Sequence, residues 1–207
     1  MNIYYYLKKV YNIKEKIQRL FYPHWNRLKF KIKGVSYGTS LNVYTKMFLE
    51  INNKANVKIG DNFIFTSDNC INPLCRNIKG CIVAYPNSSI YIGNNVGMSS
   101  PCIWARSSIK IGNNVKIGGD CIIMDSDAHS LNFIERRDPF NDQKNRKDAP
   151  ITIEDDVLIG TRCIVLKGVT IGARSVIGSG SIVTKSIPAD CIAAGNPCKV
   201  IRYINEK

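Results

Sequence analysis

Between Ile153 and Val183 the chain repeats every six residues. Ile153, Ile159, Val165, Ile171, Ile177 and Val183 are all β-branched and apolar. The position four later is small or β-branched, at Val157, Cys163, Val169, Ser175 and Ser181. A helix would repeat every 3.6 residues and an uninterrupted strand every two. A period of six means short strands separated by equivalent turns, each presenting the same residue to a common interior. Such a hexad reads as a parallel β-helix, a solenoid in which each coil buries the face of its neighbour.

The pattern extends backwards with lapses. Ile-Gly pairs occur at Ile59, Ile92, Ile111, Ile117, Ile159, Ile171 and Ile177. From Ile111 onward every spacing is a multiple of six, but Ile92 to Ile111 is nineteen residues and Ile59 to Ile92 is thirty-three. An irregular or bulged coil is expected over 59–90, where Asn72-Pro73 and Pro86-Asn87 signal turns.

The net charge is +13, but residues 1–33 hold nine Lys/Arg against Glu15 alone, so +8 belongs to that segment and +5 to the other 174 residues. A continuous basic surface, as nucleic-acid binding would require, is not predicted. No apolar run approaches the roughly 18 residues of a membrane span, and Lys8 and Lys9 follow the apolar start where a secretory signal would place them first. The eight cysteines form no C-x-x-C. Cys102, Cys121 and Cys163 lie four residues after Met98, Ile117 and Ile159, the small inward position, where Cys acts as a small hydrophobe. The expected setting is reducing and cytoplasmic.

Three segments follow: a basic amphipathic helix within 1–33, the solenoid over 34–187, and a tail over 188–207. In the first, Leu7, Val10, Tyr11, Ile13, Ile17, Leu20 and Phe21 fall at spacings of three and four, and Pro23 is expected to end or kink the helix. Two readings stand for it. It caps the open end of the solenoid, or it lies on the inner face of an anionic membrane as a peripheral anchor. In the tail, Lys199 and Arg202 are three apart, on one side of a short C-terminal helix.

The ladder is interrupted once more. Asp125-Ser126-Asp127-Ala128-His129 is followed by Ser130–Ala149, polar and without strand or long-helix pattern, before the repeat resumes at Ile151. A loop that long in a compact domain is functional or evidence against the assignment. The clean resumption marks it as an arm, leaving beside the one histidine of the body. His129 is therefore the candidate general base: imidazole takes a proton near neutrality, and a carboxylate on its second nitrogen fixes the tautomer. Asp127, two residues before, is preferred to Asp125, four before, on extended-chain spacing. An unbroken coil would turn His129 inward, six after Ile123, so the coil must break by residue 129.

The block Ile151–Arg202 resembles the hexapeptide-repeat acyltransferases, in particular the galactoside, maltose and other saccharide O-acetyltransferases, with a weaker likeness over Ile90–His129 and none over 1–58. The resemblance implies an all-β, left-handed parallel β-helix, a homotrimer with sites between subunits, and acetyl-CoA as co-substrate. It implies a histidine base followed by a covering loop, which maps to His129 and residues 130–149. It also implies cofactor contacts at Thr161, Ser179, Thr184, Lys185, Lys199 and Arg202, the cations suiting phosphate. The chain departs from the sugar acetyltransferases at Asp127-Ala128-His129, where they carry Thr-Gly-His, and at Ser130, where they carry Pro.

The reading that follows is transfer of an acetyl group from acetyl-CoA to a hydroxyl of a saccharide, such as a surface-polysaccharide precursor. Serine or an antibiotic is the alternative acceptor, and a non-catalytic β-helix scaffold the alternative class. A metal is not expected, because a zinc site of the carbonic anhydrase kind needs three histidines and the chain has two, His24 and His129.

Overall fold

The computed structural model describes residues 3–67 and 71–205; within the first helix the side chains at 3, 5, 6, 8–12, 14 and 15 are not described. The helical pattern read at Val10 and Tyr11, and the cations Lys8, Lys9 and Lys14, thus lie outside the described side chains.

Twenty short strands wind into three sheets of six, eight and six strands, each coil adding one strand to each. All neighbours are parallel except the last pair. Inward residues stack in columns. On the first face Ile59, Ile92, Ile111, Ile153 and Ile171 lie in direct register. On the second the column is Phe65, Met98, Ile117, Ile159 and Ile177. On the third it is Leu49, Ile82, Ile103, Ile123, Val165 and Val183. All six residues of the hexad series are fully buried. Each such side chain contributes about 1.5–3 kcal/mol by leaving water, and the columns form one continuous core.

The corners repeat as strictly as the strands. Asn62, Asn95, Asn114, Asp156 and Arg174 occupy the same corner between first and second faces, all with φ between 55° and 61°. Among residues with a side chain, Asn and Asp tolerate this left-handed conformation best. Their side chains also bond along the stack, Asn62 Nδ2 to Asn95 Oδ1, Asn95 Nδ2 to Asn114 Oδ1 and Asn114 Nδ2 to Asp156 Oδ1, each at 3.0 Å. The glycine after the inward Ile permits the close approach of coils: a Cβ on Gly93 would stand 2.7 Å from the Gly112 carbonyl.

The lapses in the period have separate causes. The thirty-three residues from Ile59 to Ile92 do not distort the coil, since the two side chains remain in register. The surplus leaves between Phe63–Thr66 and Cys81–Ala84, with a 3₁₀ turn at Pro73–Cys75. The nineteen residues from Ile92 to Ile111 combine a corner one residue short, Met98 to Ile103, with one two residues long, Ile103 to Ile111, and the short corner corrects the placement of Cys102. From Met98 to Ile103, the two inward residues, the corner is one residue short, and a one-residue slip moves a side chain to the other side of a sheet. Cys102 faces outward, opposite Cys81, with sulfurs 2.9 Å apart, whereas Cys121 and Cys163 are buried as the spacing predicts.

Helix α1 (Ile3–Ile32) runs through Pro23, which does not end it. Its last turns lie across the first coil. Buried Asn26 donates from Nδ2 to the carbonyls of Val43 and Thr45, both at 2.9 Å, and Phe30 is fully buried. Arg27 and Lys29 donate to the carbonyls of Leu41 and Met47.

Among its described residues the tail holds no helix, correcting the expectation for Lys199 and Arg202. Lys199–Tyr203 pairs antiparallel with Cys191–Ala194 and extends the second face. The segment Lys199-Val200-Ile201-Arg202-Tyr203 is rich in strand formers, and the last coil offers it an unpaired edge, which strands do not leave open. Gly195, at φ 104°, makes the turn.

Candidate active site

The arm leaves the third face after Ile122–Met124 and returns at Ile151–Ile153. Its two stems are clasped: Asp127 N–H donates to the Lys147 carbonyl at 3.0 Å and Ala149 N–H to the Asp125 carbonyl at 2.9 Å, with Ser126 bridged to Asp148. The coil is therefore broken before residue 129, and Ala128 takes φ 63°. The His129 side chain points out of the core and is 64% exposed.

Its partner comes from the far side of the arm. Asp138 caps helix α2 (Pro139–Asn145), accepting from Asn141 N–H at 2.8 Å, with Pro139 in the first turn, where its missing N–H costs nothing. The helix aims Asp142 back at the start of the arm. Asp142 Oδ2 lies 2.6 Å from His129 Nδ1, and its Oδ1 accepts from Ser130 N–H at 2.8 Å. These two bonds, that of His129 first, hold the Asp142 carboxyl below the usual range. A carboxylate can only accept, so Nδ1 carries the proton and Nε2 presents a lone pair to solvent. The turn is braced by Arg136, whose guanidinium donates to the Ser130 carbonyl at 2.7 Å, and by a bond from Ser130 Oγ to Glu135.

This geometry corrects the carboxylate assignment. Asp125 is fully buried and accepts from the backbone N–H groups of Arg106 and Ser107 at 2.7 and 2.8 Å, tying the arm's base to the coil beneath. Burial pushes its carboxyl up. Asp127 pairs with Lys167 at 3.4 Å. Local spacing could not find Asp142, thirteen residues from His129. The available signal was the N-cap pattern Asp138-Pro139 in an arm that begins and ends at one corner.

The six residues singled out for a cofactor fall into groups. Thr161 and Ser179 occupy the corner between second and third faces in successive coils, and Thr161 N–H donates to Ser179 Oγ at 3.2 Å. Both line an outer groove of about 490 Å³ with Met98, Lys116, Leu158 and Gly160. Thr184 and Lys185 are exposed at the corner between third and first faces, on the same edge as the arm. Lys199 and Arg202 stand on the terminal strand of the second face. Within one chain, His129 and the Thr161–Ser179 corner thus lie on opposite edges of the third face. Among the described residues no group of three His, Cys, Asp or Glu side chains could hold a metal ion.

Residues 150–185 match a family model described as the hexapeptide repeat of succinyl-transferase. The galactoside O-acetyltransferase of Escherichia coli K12 is 59% identical over 58 residues, which are 28% of this chain and 29% of that enzyme. The chain thus spans well under half the length of such curated relatives, about 38% of another. Among solved structures, that of the polysialic-acid-specific acetyltransferase NeuO is 28% identical with a TM-score of 0.57, covering 82% of each chain. A maltose O-acetyltransferase from Clostridium difficile 630 is 28% identical with a TM-score of 0.50, covering 83% of this chain and 70% of that one. The repeat, the three-faced coil and these likenesses together make the chain a left-handed parallel β-helix, similar in its repeat block and in its fold to the hexapeptide-repeat acetyltransferases.

Proposed function

We propose that the protein transfers an acetyl group from acetyl-CoA to a hydroxyl of a saccharide, with His129 as general base. The observation that carries this is the His129–Asp142 pair: an exposed imidazole whose Nδ1 is fixed by a carboxylate at 2.6 Å and whose Nε2 is left as an acceptor. The galactoside, maltose and polysialic acid specificities of the similar enzymes support a sugar hydroxyl as acceptor.

In this mechanism Nε2 takes the proton of the acceptor hydroxyl as its oxygen attacks the thioester carbonyl. Collapse of the tetrahedral intermediate breaks the C–S bond, and the imidazolium returns the proton to the leaving sulfur. The products are the O-acetyl ester and the free thiol of CoA. Asp142 keeps Nδ1 protonated and offsets the charge that forms on the ring. General-base catalysis contributes roughly 10²–10⁴-fold, the rest coming from holding two substrates together.

The protein acts as a homotrimer in this reading. His129 and the Thr161–Ser179 groove lie on opposite edges of one face, so a second copy would set its groove against the first copy's arm. The outward surface of the third face suits such contact. It presents Cys102, Trp104, Ile122, Met124, Ile164 and Ile182, where the first face presents Lys58, Tyr91, Lys110, Thr152 and Thr170. The test is thiol release from acetyl-CoA across a panel of sugars, nucleotide sugars and amino acids. Acetyl transfer to a sugar is expected; hydrolysis alone, or no turnover with any acceptor, would refute the reading.

A further inference from the structure

Helix α1 is amphipathic, but the face it gives to the coil is not its apolar one. At 3.6 residues per turn, the docked residues Asn26 and Phe30 lie on one side. Ile13, Ile17, Leu20, Phe21, Leu28 and Ile32 fall within an arc of about 120° on the opposite side. These six are between 46% and 72% exposed. Burial on its own coil therefore accounts for the end of the helix and leaves the apolar stripe uncovered, along with the stacked rings of Phe21 and Trp25, 6.2 Å apart.

Charge decides what fits the stripe. Residues 1–33 carry a net +8; the exposed Lys31 lies within the arc and the exposed Lys16 about 40° outside its edge. A second copy of the helix would bring like charges together, whereas an anionic surface is complementary. Basic residues flanking an apolar stripe with aromatic side chains are the pattern of a helix lying in a membrane interface. No described helix is long and apolar enough to cross a bilayer.

We propose that α1 docks the protein on an anionic lipid bilayer, its stripe seated at the headgroup–acyl boundary and its cations on the lipid phosphates. This does not rest on the acetyl-transfer reading, and either can fail without the other.

The test is co-sedimentation of the full chain with vesicles of phosphatidylcholine alone and of phosphatidylcholine containing phosphatidylglycerol. Binding to the anionic vesicles is expected to be at least about tenfold tighter, and to fall steeply with salt. Two double variants separate the contributions: Ile17→Glu with Leu20→Glu, and Lys16→Glu with Lys31→Glu. All four side chains are exposed, so both proteins should keep the wild-type melting temperature, and both should lose the binding. Equal binding to both vesicle types, or none, overturns the proposal. So does retained binding by the Ile17/Leu20 variant. Failure to bind vesicles, with loss of an oligomer in that variant, would assign the stripe to a second copy instead.

Discussion

His129 and Asp142 stand thirteen residues apart in the chain and 2.6 Å apart in space, joined because the arm that begins at one folds back through a short helix carrying the other. The His129 ring is thus oriented by the arm that follows it and not by the acidic run before it.

Asp142→Asn should lower kcat by less than the roughly 10²–10⁴-fold expected for loss of the base itself, with little change in KM for acetyl-CoA. An amide at this position can donate, and would favour the tautomer with the proton on Nε2. Asp127→Asn should leave kcat and its pH profile near wild type, since Asp127 pairs with Lys167. Steady-state kinetics of the two variants decides; the reverse ranking would return the orienting role to the acidic run.

Lys185→Ala, Lys199→Ala and Arg202→Ala should raise KM for acetyl-CoA with little effect on kcat, because cations that meet phosphates act on ground and transition states alike. The effect should shrink at high salt. An unchanged KM in all three variants would remove these residues from the cofactor site.

Ile159→Ala should cost about 2–5 kcal/mol, the range for a large-to-small change in a packed core. Ile159 is fully buried between Ile117 and Ile177. Denaturant unfolding measures it. A cost below one kcal/mol would mean that the column is not continuous.

Acid should weaken the corners. Asp61 and Asp155 are held below the usual carboxylate range by the backbone N–H groups of Thr39 and Asn113, and Asp190 by Arg174. A depressed folded value means a contribution fully present above the unfolded pKa of about 3.9 and lost as pH falls through the folded value. Melting temperature should therefore hold steady near neutrality and drop below about pH 4. Asp155→Asn should make that acid limb shallower and lower the melting temperature near neutrality by a few degrees.

The hexad made the coil legible because every unit from Ile153 to Val183 has the same length, so one register places every side chain of that block. Cys102 escaped because a single missing residue in one corner reverses inside and outside, and corner length leaves no mark in composition. Asp142 escaped because the arm has no period. The terminal strand escaped because its partner is the edge of the last coil, and spacing of Lys199 and Arg202 fits helix or strand equally. Helix α1 was legible as an element. Which side it docks was not, since the docking residues include a polar one, Asn26, whose amide satisfies two carbonyls of the first coil.

The homotrimer is checked by light scattering at micromolar concentration. A mass near three times the 23.2 kDa chain is expected. A single-chain mass, with activity retained, would contradict a site built between copies.

His129→Ala tests the general-base role, with turnover and acetyl-CoA binding measured on the same preparation. A kcat loss of roughly 10²–10⁴-fold is expected, with acetyl-CoA affinity and melting temperature near wild type, because the side chain is exposed and is not among the residues assigned to the cofactor. A variant that turns over at the wild-type rate would contradict that role.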